Sequence, residues 1–517
     1  MKFSDIKMFQ MTRWLLLSSI TVALGSSFLY GYNVAKLNTP TQMIQDFFNE
    51  SYTKRYGSPL SKSRLNILWS FTVTIFVATG AVGSFICGWI ADKIGRKRSL
   101  VLNNFLAIVG GLLEAASKPL MIPELIMMGR FIIGLNCGLT LGLATIFLTE
   151  ISPQSIRGAV ANFHQVGVVF GILAAQVMGL DSLLGTEKNW NYLLGFTIIP
   201  PILSCFILPF CPESPRYLML SKNDEKAARL NMEKYHQKNS PELEEAITDM
   251  QKEYFASTDA IGKFQYTQLF RARKLRMALL VGISLMICQQ WSGINAIFAY
   301  SESLFTQAGV KKSNIQYVIV GTGLVNVLIT FVNLPLMDKA GRRSLLLYPS
   351  MVMIICMLLM IPSIGYQHKF PWLSHLSIVL MLFYIVGFAL GLGPIPCMLP
   401  SETFRQGPRG AAVGIVQAFH WAMNMIVTFS FRFMEESIGE YLFIIFAIIC
   451  TLSLIFVLLF LPETNGRSLD DIVMDFKRGY LWIPFRKKPY YIYANEVIAA
   501  NKALYQTGGA NVTLEIE

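Results

Sequence analysis

Twelve long apolar runs punctuate the chain, at about 14–35, 67–90, 99–117, 122–147, 158–180, 190–210, 277–300, 315–337, 344–363, 375–399, 410–433 and 441–461. Each approaches the roughly 20 apolar residues that a helix needs to cross a bilayer. Most charged positions fall in the stretches between them. This pattern predicts an all-α membrane protein of twelve transmembrane helices. No small-residue cleavage site follows the first run, so it reads as a first spanning helix, not a signal peptide.

The connections set the orientation. Lys93, Arg96, Lys97 and Arg98 follow the second run, Arg157 the fourth, Lys339, Arg342 and Arg343 the eighth, and Arg405 and Arg409 the tenth. Basic short loops stay in the cytoplasm. An even number of spans then puts both termini there as well. Lys311 and Lys312 dissent on the opposite side. Residues 36–66 form the longest outer loop, and Asn49-Glu50-Ser51 within it is a glycosylation sequon. The long connection 212–275 reads either as short amphipathic helices under the membrane or as a solvated linker. Ser240-Pro241-Glu242 marks a helix start within it.

The two halves repeat. Asp92-Lys93-Ile94-Gly95-Arg96 returns as Asp338-Lys339-Ala340-Gly341-Arg342, Glu150 with Arg157-Gly158-Ala159 as Glu402 with Arg409-Gly410-Ala411, and Pro212-Glu213-Ser214 as Pro462-Glu463-Thr464. Three motifs in one order at one period predict two pseudo-symmetric six-helix bundles, the major facilitator architecture, with a substrate site between them at mid-membrane. The expected divisions are an N-terminal bundle 1–211, a linker 212–275, a C-terminal bundle 276–464 and a tail 465–517. Acids that recur seven residues before arginines favour a clasp between the halves over orientation alone, which needs no acids.

Composition narrows the function. Charged residues make up 15% of the chain and hydrophobic residues 53%. The net charge of +12 sits in the short loops and so implies a lipid bilayer, not nucleic acid. Eight scattered cysteines and five histidines without ligand spacing predict neither disulfide nor metal site. No cofactor, phosphate-binding loop or nucleophile–base set is expected, so an enzyme is disfavoured. The oligomeric state is left unassigned. Within the apolar runs lie neutral polar residues: Gln165, Gln176, Gln289, Gln290, Asn295, Asn326, Gln417, His420 and Asn424. Such groups suit a ring of hydroxyls that are both donors and acceptors. Gln176 and Gln417 read better as interhelical hydrogen bonds. Glu114 reads as an isolated acid that snorkels to the surface.

The chain resembles the sugar porters of the major facilitator superfamily, and within them the facilitative hexose transporters. The resemblance rests on Gly31-Tyr32-Asn33, the Asp92–Arg98 loop, Pro212-Glu213-Ser214-Pro215-Arg216-Tyr217, Gln289-Gln290-Trp291-Ser292-Gly293-Ile294-Asn295, Gly393-Pro394-Ile395-Pro396 and Leu461-Pro462-Glu463-Thr464-Asn465-Gly466-Arg467. Ser26–Asn33, Leu68-Trp69-Ser70 and His420-Trp421 are most like the fructose-carrying class II branch. The resemblance implies sugar contacts at Gln165, Gln289, Gln290, Asn295, Asn326 and Asn424, with Trp421 as an aromatic wall. Tyr32, Phe388 and His420 join this expected substrate-binding set. It also implies a cytoplasmic gate of Asp92, Arg96, Glu150, Arg157, Glu213, Arg216, Asp338, Arg342, Glu402, Arg409, Glu463 and Arg467.

Against that family three positions depart. Phe388 stands where fructose carriers have histidine, Cys397 where glucose carriers have tryptophan, and Trp291 where both have leucine. The implied activity is uniport of a hexose across the plasma membrane, fructose narrowly ahead of glucose and urate third. A proton-coupled symporter and a sugar-binding sensor are the rivals. On an unbroken helix Gln289 and Asn295 lie about 240° apart and do not share a face. Gly293 is therefore expected to unwind the seventh run. Gly391, Gly393, Pro394, Pro396 and Pro400 should break the tenth. The outer-loop assignment predicts that glycosidase shifts the mature protein on a gel and that Asn49→Gln abolishes the shift. A shift that survives the substitution contradicts that assignment.

Overall fold

In hydrocarbon every backbone donor and acceptor needs a partner within the protein, and a helix supplies them all locally. The computed structural model, which describes residues 11–236, 241–259, 267–294, 305, 311–467, 469–478, 480–481 and 490–491, meets this demand with helices throughout. Eleven described helices are long and apolar enough to span. They are α1 (Arg13–Ala35), α2 (Lys62–Ile94), α3 (Arg96–Leu120), α4 (Glu124–Ile151), α5 (Gln154–Met178), α6 (Trp190–Phe210), α8 (Asn314–Ala340), α9 (Arg342–Gly365), α10 (Trp372–Thr403), α11 (Pro408–Phe431) and α12 (Gly439–Phe460). The seventh, α7 (Arg273–Trp291), has a shorter apolar stretch, Leu275–Trp291.

Glycine stripes set how closely the helices approach. A Cβ on Gly138 would stand 2.0 Å from the Gly80 carbonyl oxygen, and one on Gly171 2.0 Å from that of Phe28. Backbone therefore meets backbone where α4 crosses α2 and where α5 crosses α1, an approach that only small residues at the crossing allow. The bundles meet each other along α2–α11 and α5–α8. Gly88 and Gly410 face each other across the first seam, and Phe170 and Phe331 cross edge-to-face at 5.7 Å across the second.

Two expectations change. The outer connection contains a helix, Thr41–Tyr56, whose Ile44, Phe47 and Phe48 pack beneath Trp190 and Leu194. Asn49 lies on that helix. Its Oδ1 accepts the Leu60 N–H at 2.8 Å, while Nδ2, the atom a glycan would occupy, makes no hydrogen bond among the described residues. The other change is Glu114. It is fully buried on α3 and paired with Lys36 of the first span, not snorkelling. Its partner lies 78 residues away, beyond the reach of any local pattern.

The linker takes the helical reading. Short helices occupy Pro215–Leu220, Glu225–Tyr235, Pro241–Asp259 and Gln268–Arg271, with Pro241 at the first turn as expected. Tyr235 is buried and donates to the Pro212 carbonyl at 2.6 Å. Thr12 reaches the Lys234 carbonyl at 2.8 Å. The Thr12 bond, with the Ser18 hydroxyl 3.2 Å from that of Tyr235, holds the linker against the base of the N-terminal bundle.

Candidate functional site

The seventh and tenth spans break where glycine and proline permit it. α7 stops at Trp291, and Gly293 takes φ +82°, a left-handed conformation that glycine tolerates. α10 is interrupted at Gly391 and resumes at Ile395. A broken helix leaves carbonyls without partners. Here each break is satisfied from the other span. The buried Tyr384 hydroxyl of α10 donates to the Ser292 carbonyl at 2.8 Å. The Gln289 Nε2 of α7 donates to the carbonyls of Leu392 at 2.7 Å and Gly393 at 3.0 Å.

Gln289 also faces the other way. Its Oε1 lies 3.0 Å from His420 Nδ1 on α11, and His420 Nε2 lies 3.1 Å from the Tyr30 hydroxyl on α1. One tautomer satisfies both contacts: Nδ1–H donates to Gln289 and Nε2 accepts from Tyr30. Gln290 approaches the same Nδ1 at 3.0 Å, and with its amide turned over its oxygen shares that proton. A neutral phenol–imidazole–amide chain thus bridges the two bundles at mid-membrane. Trp421 closes one side. It is buried, and its rings pack on Gly80, on Tyr30 at 5.6 Å and on Phe76 at 5.4 Å. On the other side, a point just off Gly393 has the Gln165 Nε2 at 3.2 Å and the edge of the Phe388 ring at 3.5 Å.

Most of the expected contact set therefore converges: Gln165, Gln289, Gln290, Phe388, His420 and Trp421. Asn326 is buried on α8 with an unbonded Oδ1, and Asn424 accepts the Thr428 hydroxyl at 3.0 Å. Asn295 lies outside the described residues. Tyr32 does not belong to the set. It is buried within the N-terminal bundle, stacked on Phe28 at 5.9 Å, and its hydroxyl donates to the Leu193 carbonyl at 2.7 Å. The residue that reaches the midplane is Tyr30. Two positions apart on a helix are nearly opposite faces, and the sequence offers no sign of which tyrosine turns inward. Gln417 is fully buried and donates to the Cys397 carbonyl of α10 at 3.5 Å, whereas Gln176 lies against Gly323 of α8 with its buried Oε1 unbonded, so the expected interhelical hydrogen bond is seen for Gln417 alone among the described residues.

The repeated motifs gather at one end of the bundle and form two copies of one network. In the first, Arg96 binds both Glu150 oxygens, at 2.9 and 3.1 Å. The Ser214 hydroxyl also binds Glu150, and Glu213 accepts the Lys97 N–H at 2.9 Å. In the second, Arg342 binds both Glu402 oxygens, at 3.3 and 2.8 Å. The Thr464 hydroxyl binds Glu402 at 3.0 Å, and Glu463 accepts the Arg342 and Arg343 N–H groups at 2.9 and 3.0 Å. Glu213 and Glu463 cap the starts of α3 and α9, where the helix dipole favours an anion. Asp338 crosses to the other bundle and accepts the Ala159 N–H at the start of α5, and Asp92 lies against Gly410 at the start of α11.

The copies are not identical: Arg342 also donates to Asn465 Oδ1 at 2.8 Å, where the first copy has Pro215, and an ion pair crosses between the bundles from Arg409. Arg409 reaches across to Glu150 at 3.5 Å, and both are buried. Arg157, its repeat counterpart, shows no such ion pair among the described residues, and its buried Nε has no partner there. Arg467 pairs with Asp475 at 2.6 Å and lines the same small pocket as Arg157, Arg342 and Glu402. Arg216 sits in the first turn of Pro215–Leu220.

Two broken helices, a neutral hydrogen-bonding midplane and a charged clasp at one end define a two-bundle membrane carrier for a small polar solute. The Sugar (and other) transporter family matches residues 18–476. Facilitated glucose transporter member 1 of solute carrier family 2 from Gallus gallus is 39% identical over 470 residues, covering 91% of this chain and 95% of that one. Member 5 from Homo sapiens is 38% identical over 463 residues, covering 90% and 92%. The solved proton:xylose symporter XylE bound to 6-bromo-6-deoxy-D-glucose superposes with a TM-score of 0.77 at 23% identity, over 90% of this chain and 99% of that one. The inward-open XylE from E. coli superposes at 0.64 with 24% identity, over 89% and 99%. The chain belongs to the sugar transporter family and has the major facilitator fold. It is a multi-pass membrane sugar transporter, not an enzyme. Members 1 and 5 match within one percentage point, so the class II likeness does not separate the branches.

The asymmetry of the clasp carries a prediction. A hydrogen bond to a buried charge is worth roughly 1–3 kcal/mol. Arg409→Ala is expected to lower sugar flux several-fold at an unchanged amount of inserted protein, because one of the two alternating states loses stability. Arg157→Ala should lower it less. Flux in proteoliposomes normalised to inserted protein measures both. Equal effects contradict the asymmetry, and normal flux in both variants contradicts the clasp.

Proposed function

We propose that this transporter is a facilitative hexose uniporter of the plasma membrane, with both termini and the clasp in the cytoplasm. Fructose is its preferred substrate, narrowly ahead of glucose. The observation that carries this reading is the Tyr30–His420–Gln289 chain. Its groups are neutral, each donates and accepts, and together they join the two bundles at the midplane. A hexose offers the same chemistry in its hydroxyls. It would replace these protein–protein hydrogen bonds one for one, with Trp421 and Phe388 against the apolar faces of the ring. Separation of the bundles at the midplane then becomes inexpensive, and the clasp decides which side opens.

Uniport is supported by Asn33. Its Nδ2 donates to the Leu29 carbonyl at 2.8 Å and its Oδ1 accepts the Thr197 hydroxyl at 3.3 Å. An amide in this setting neither gains nor loses a proton. Symport has one observation on its side, the buried carboxylate of Glu114, and Lys36 already neutralises it.

Two measurements test the reading. Sugar addition to vesicles that contain the protein should leave the external pH unchanged, and alkalinisation would refute uniport. For the substrate, Phe388→His restores a hydrogen-bonding group beside Gln165 and Gly393, worth on the order of 1 kcal/mol to a sugar hydroxyl. The fructose-to-glucose flux ratio should then rise by roughly fivefold. An unchanged ratio removes Phe388 from the sugar's surroundings.

A further inference from the structure

The N-terminal bundle holds an ion cluster that the transport cycle described above does not use. Glu114 lies 18 residues beyond Arg96 on α3, roughly 27 Å along the helix from the clasp. Lys36, at the end of α1, donates through Nζ to Glu114 Oε2 and to the Thr197 hydroxyl of α6 at 2.9 Å. Both Lys36 and Glu114 have side chains of 0% exposure. Arg130 of α4 is 3% exposed, and its Nη1 donates to the Asn33 carbonyl at 2.9 Å. Its guanidinium lies 3.8 Å from the centre of the Phe76 ring, and Phe76 packs on Trp421. The second oxygen of Glu114, Oε1, is buried and has no hydrogen-bond partner.

Each element packed against Glu114 contributes. From α1 come Lys36 and the Tyr32 hydroxyl, the latter engaged with Leu193. From α4 come Arg130 and the Cys137 thiol, with Gly129 against the carboxylate stem. From α6 comes Thr197, bonded to Lys36. With Lys36 and Arg130 charged and Glu114 ionised, the cluster carries one net positive charge. A buried pair of this kind is rarely worth more to stability than apolar residues of the same volume. Its effect on charge is another matter. Without Lys36 the ionised cluster would be neutral, and a single proton on Glu114 would restore the original charge. Arg130 spends Nη1 on the Asn33 carbonyl and lies over the Phe76 face, and its buried Nε makes no hydrogen bond to Glu114. A desolvated carboxylate that lacks a hydrogen-bonded counter-ion takes up a proton instead of remaining ionised.

We propose that Lys36 is a resident counter-ion that occupies a proton-binding site on Glu114 and so keeps sugar flux independent of pH. Removal of the ammonium opens the site: a proton from bulk water adds to a Glu114 oxygen, and no other bond changes. The site reports to the sugar through Arg130, Phe76 and Trp421, which run in contact from the cluster to the wall of the midplane. The inference rests on the uniport reading for the wild-type behaviour alone.

The experiment measures counterflow of labelled hexose in proteoliposomes between about pH 5.5 and 8, where an uncompensated buried carboxylate titrates. Wild type should be flat. Lys36→Met should show a flux about tenfold higher at the acid end, the change expected when one pKa unit separates the working states. Lys36→Met/Glu114→Gln, which has no group left to titrate, should be flat again. A flat Lys36→Met profile overturns the proposal, and so does a double variant that keeps the slope. If Lys36→Met inserts poorly, its thermal midpoint in detergent replaces flux. A carboxyl kept neutral by burial stabilises the fold at low pH and loses that contribution as pH rises. The midpoint should therefore fall from the acid to the alkaline end in this variant only, and an unchanged midpoint overturns the proposal. Proton movement by the wild type counts against uniport, and it is read apart from the slope that Lys36→Met adds.

Discussion

A helix that must break inside a bilayer leaves carbonyls that water does not reach, and the way these carbonyls are satisfied governs the rest of this molecule. Tyr384 supplies the Ser292 carbonyl and Gln289 supplies those of Leu392 and Gly393, so each broken span completes the other. Neither break is stable alone. The two segments that have lost helical rigidity are thereby tied into one unit on the face of the C-terminal bundle that meets α1 and α5. The midplane chain through His420 and Tyr30 starts from the same glutamine.

The clasp follows a second electrostatic rule. Glu213 and Glu463 cap the starts of α3 and α9 within their own bundles, while Asp92 and Asp338 address the starts of α11 and α5 in the opposite bundle. Duplication of one six-helix unit accounts for the paired design. The contact from Arg409 to Glu150 joins the bundles directly, and Arg157 at the matching position makes no ion pair among the described residues. Arg409 of α11 thus ties the C-terminal bundle to the end of α4, while Asp338 of α8 holds the start of α5 through the Ala159 N–H.

Much of this was legible in the sequence for physical reasons. Glycine and proline within apolar runs announce broken helices, and Gly293 and Gly391 proved to be the break points. The three repeated motifs gave the two bundles and the clasp, because charge at a membrane boundary is restricted to few arrangements. Other features were hidden. Tyr30 and Tyr32 are equally apolar and equally placed, and helix rotation alone separates them. The Lys36–Glu114 pair joins residues 78 positions apart, so each looked like a lone boundary charge. The helix at Thr41–Tyr56 is too polar to register among the spans, and its apolar face shows only once Trp190 covers it.

On the proposed reading, the double employment of Gln289 limits how tightly a sugar is held. A hydroxyl that captures this amide must win it from the Leu392 and Gly393 carbonyls or from His420, and whatever it displaces is left wanting in a dry interior. Part of every favourable contact is returned as damage to the tenth span. Occupancy and loosening of the barrier are then one event, which trades grip for turnover. A ligand that binds without disturbing Gln289 escapes this trade: it would hold on more strongly than any transported sugar and leave the carrier stalled.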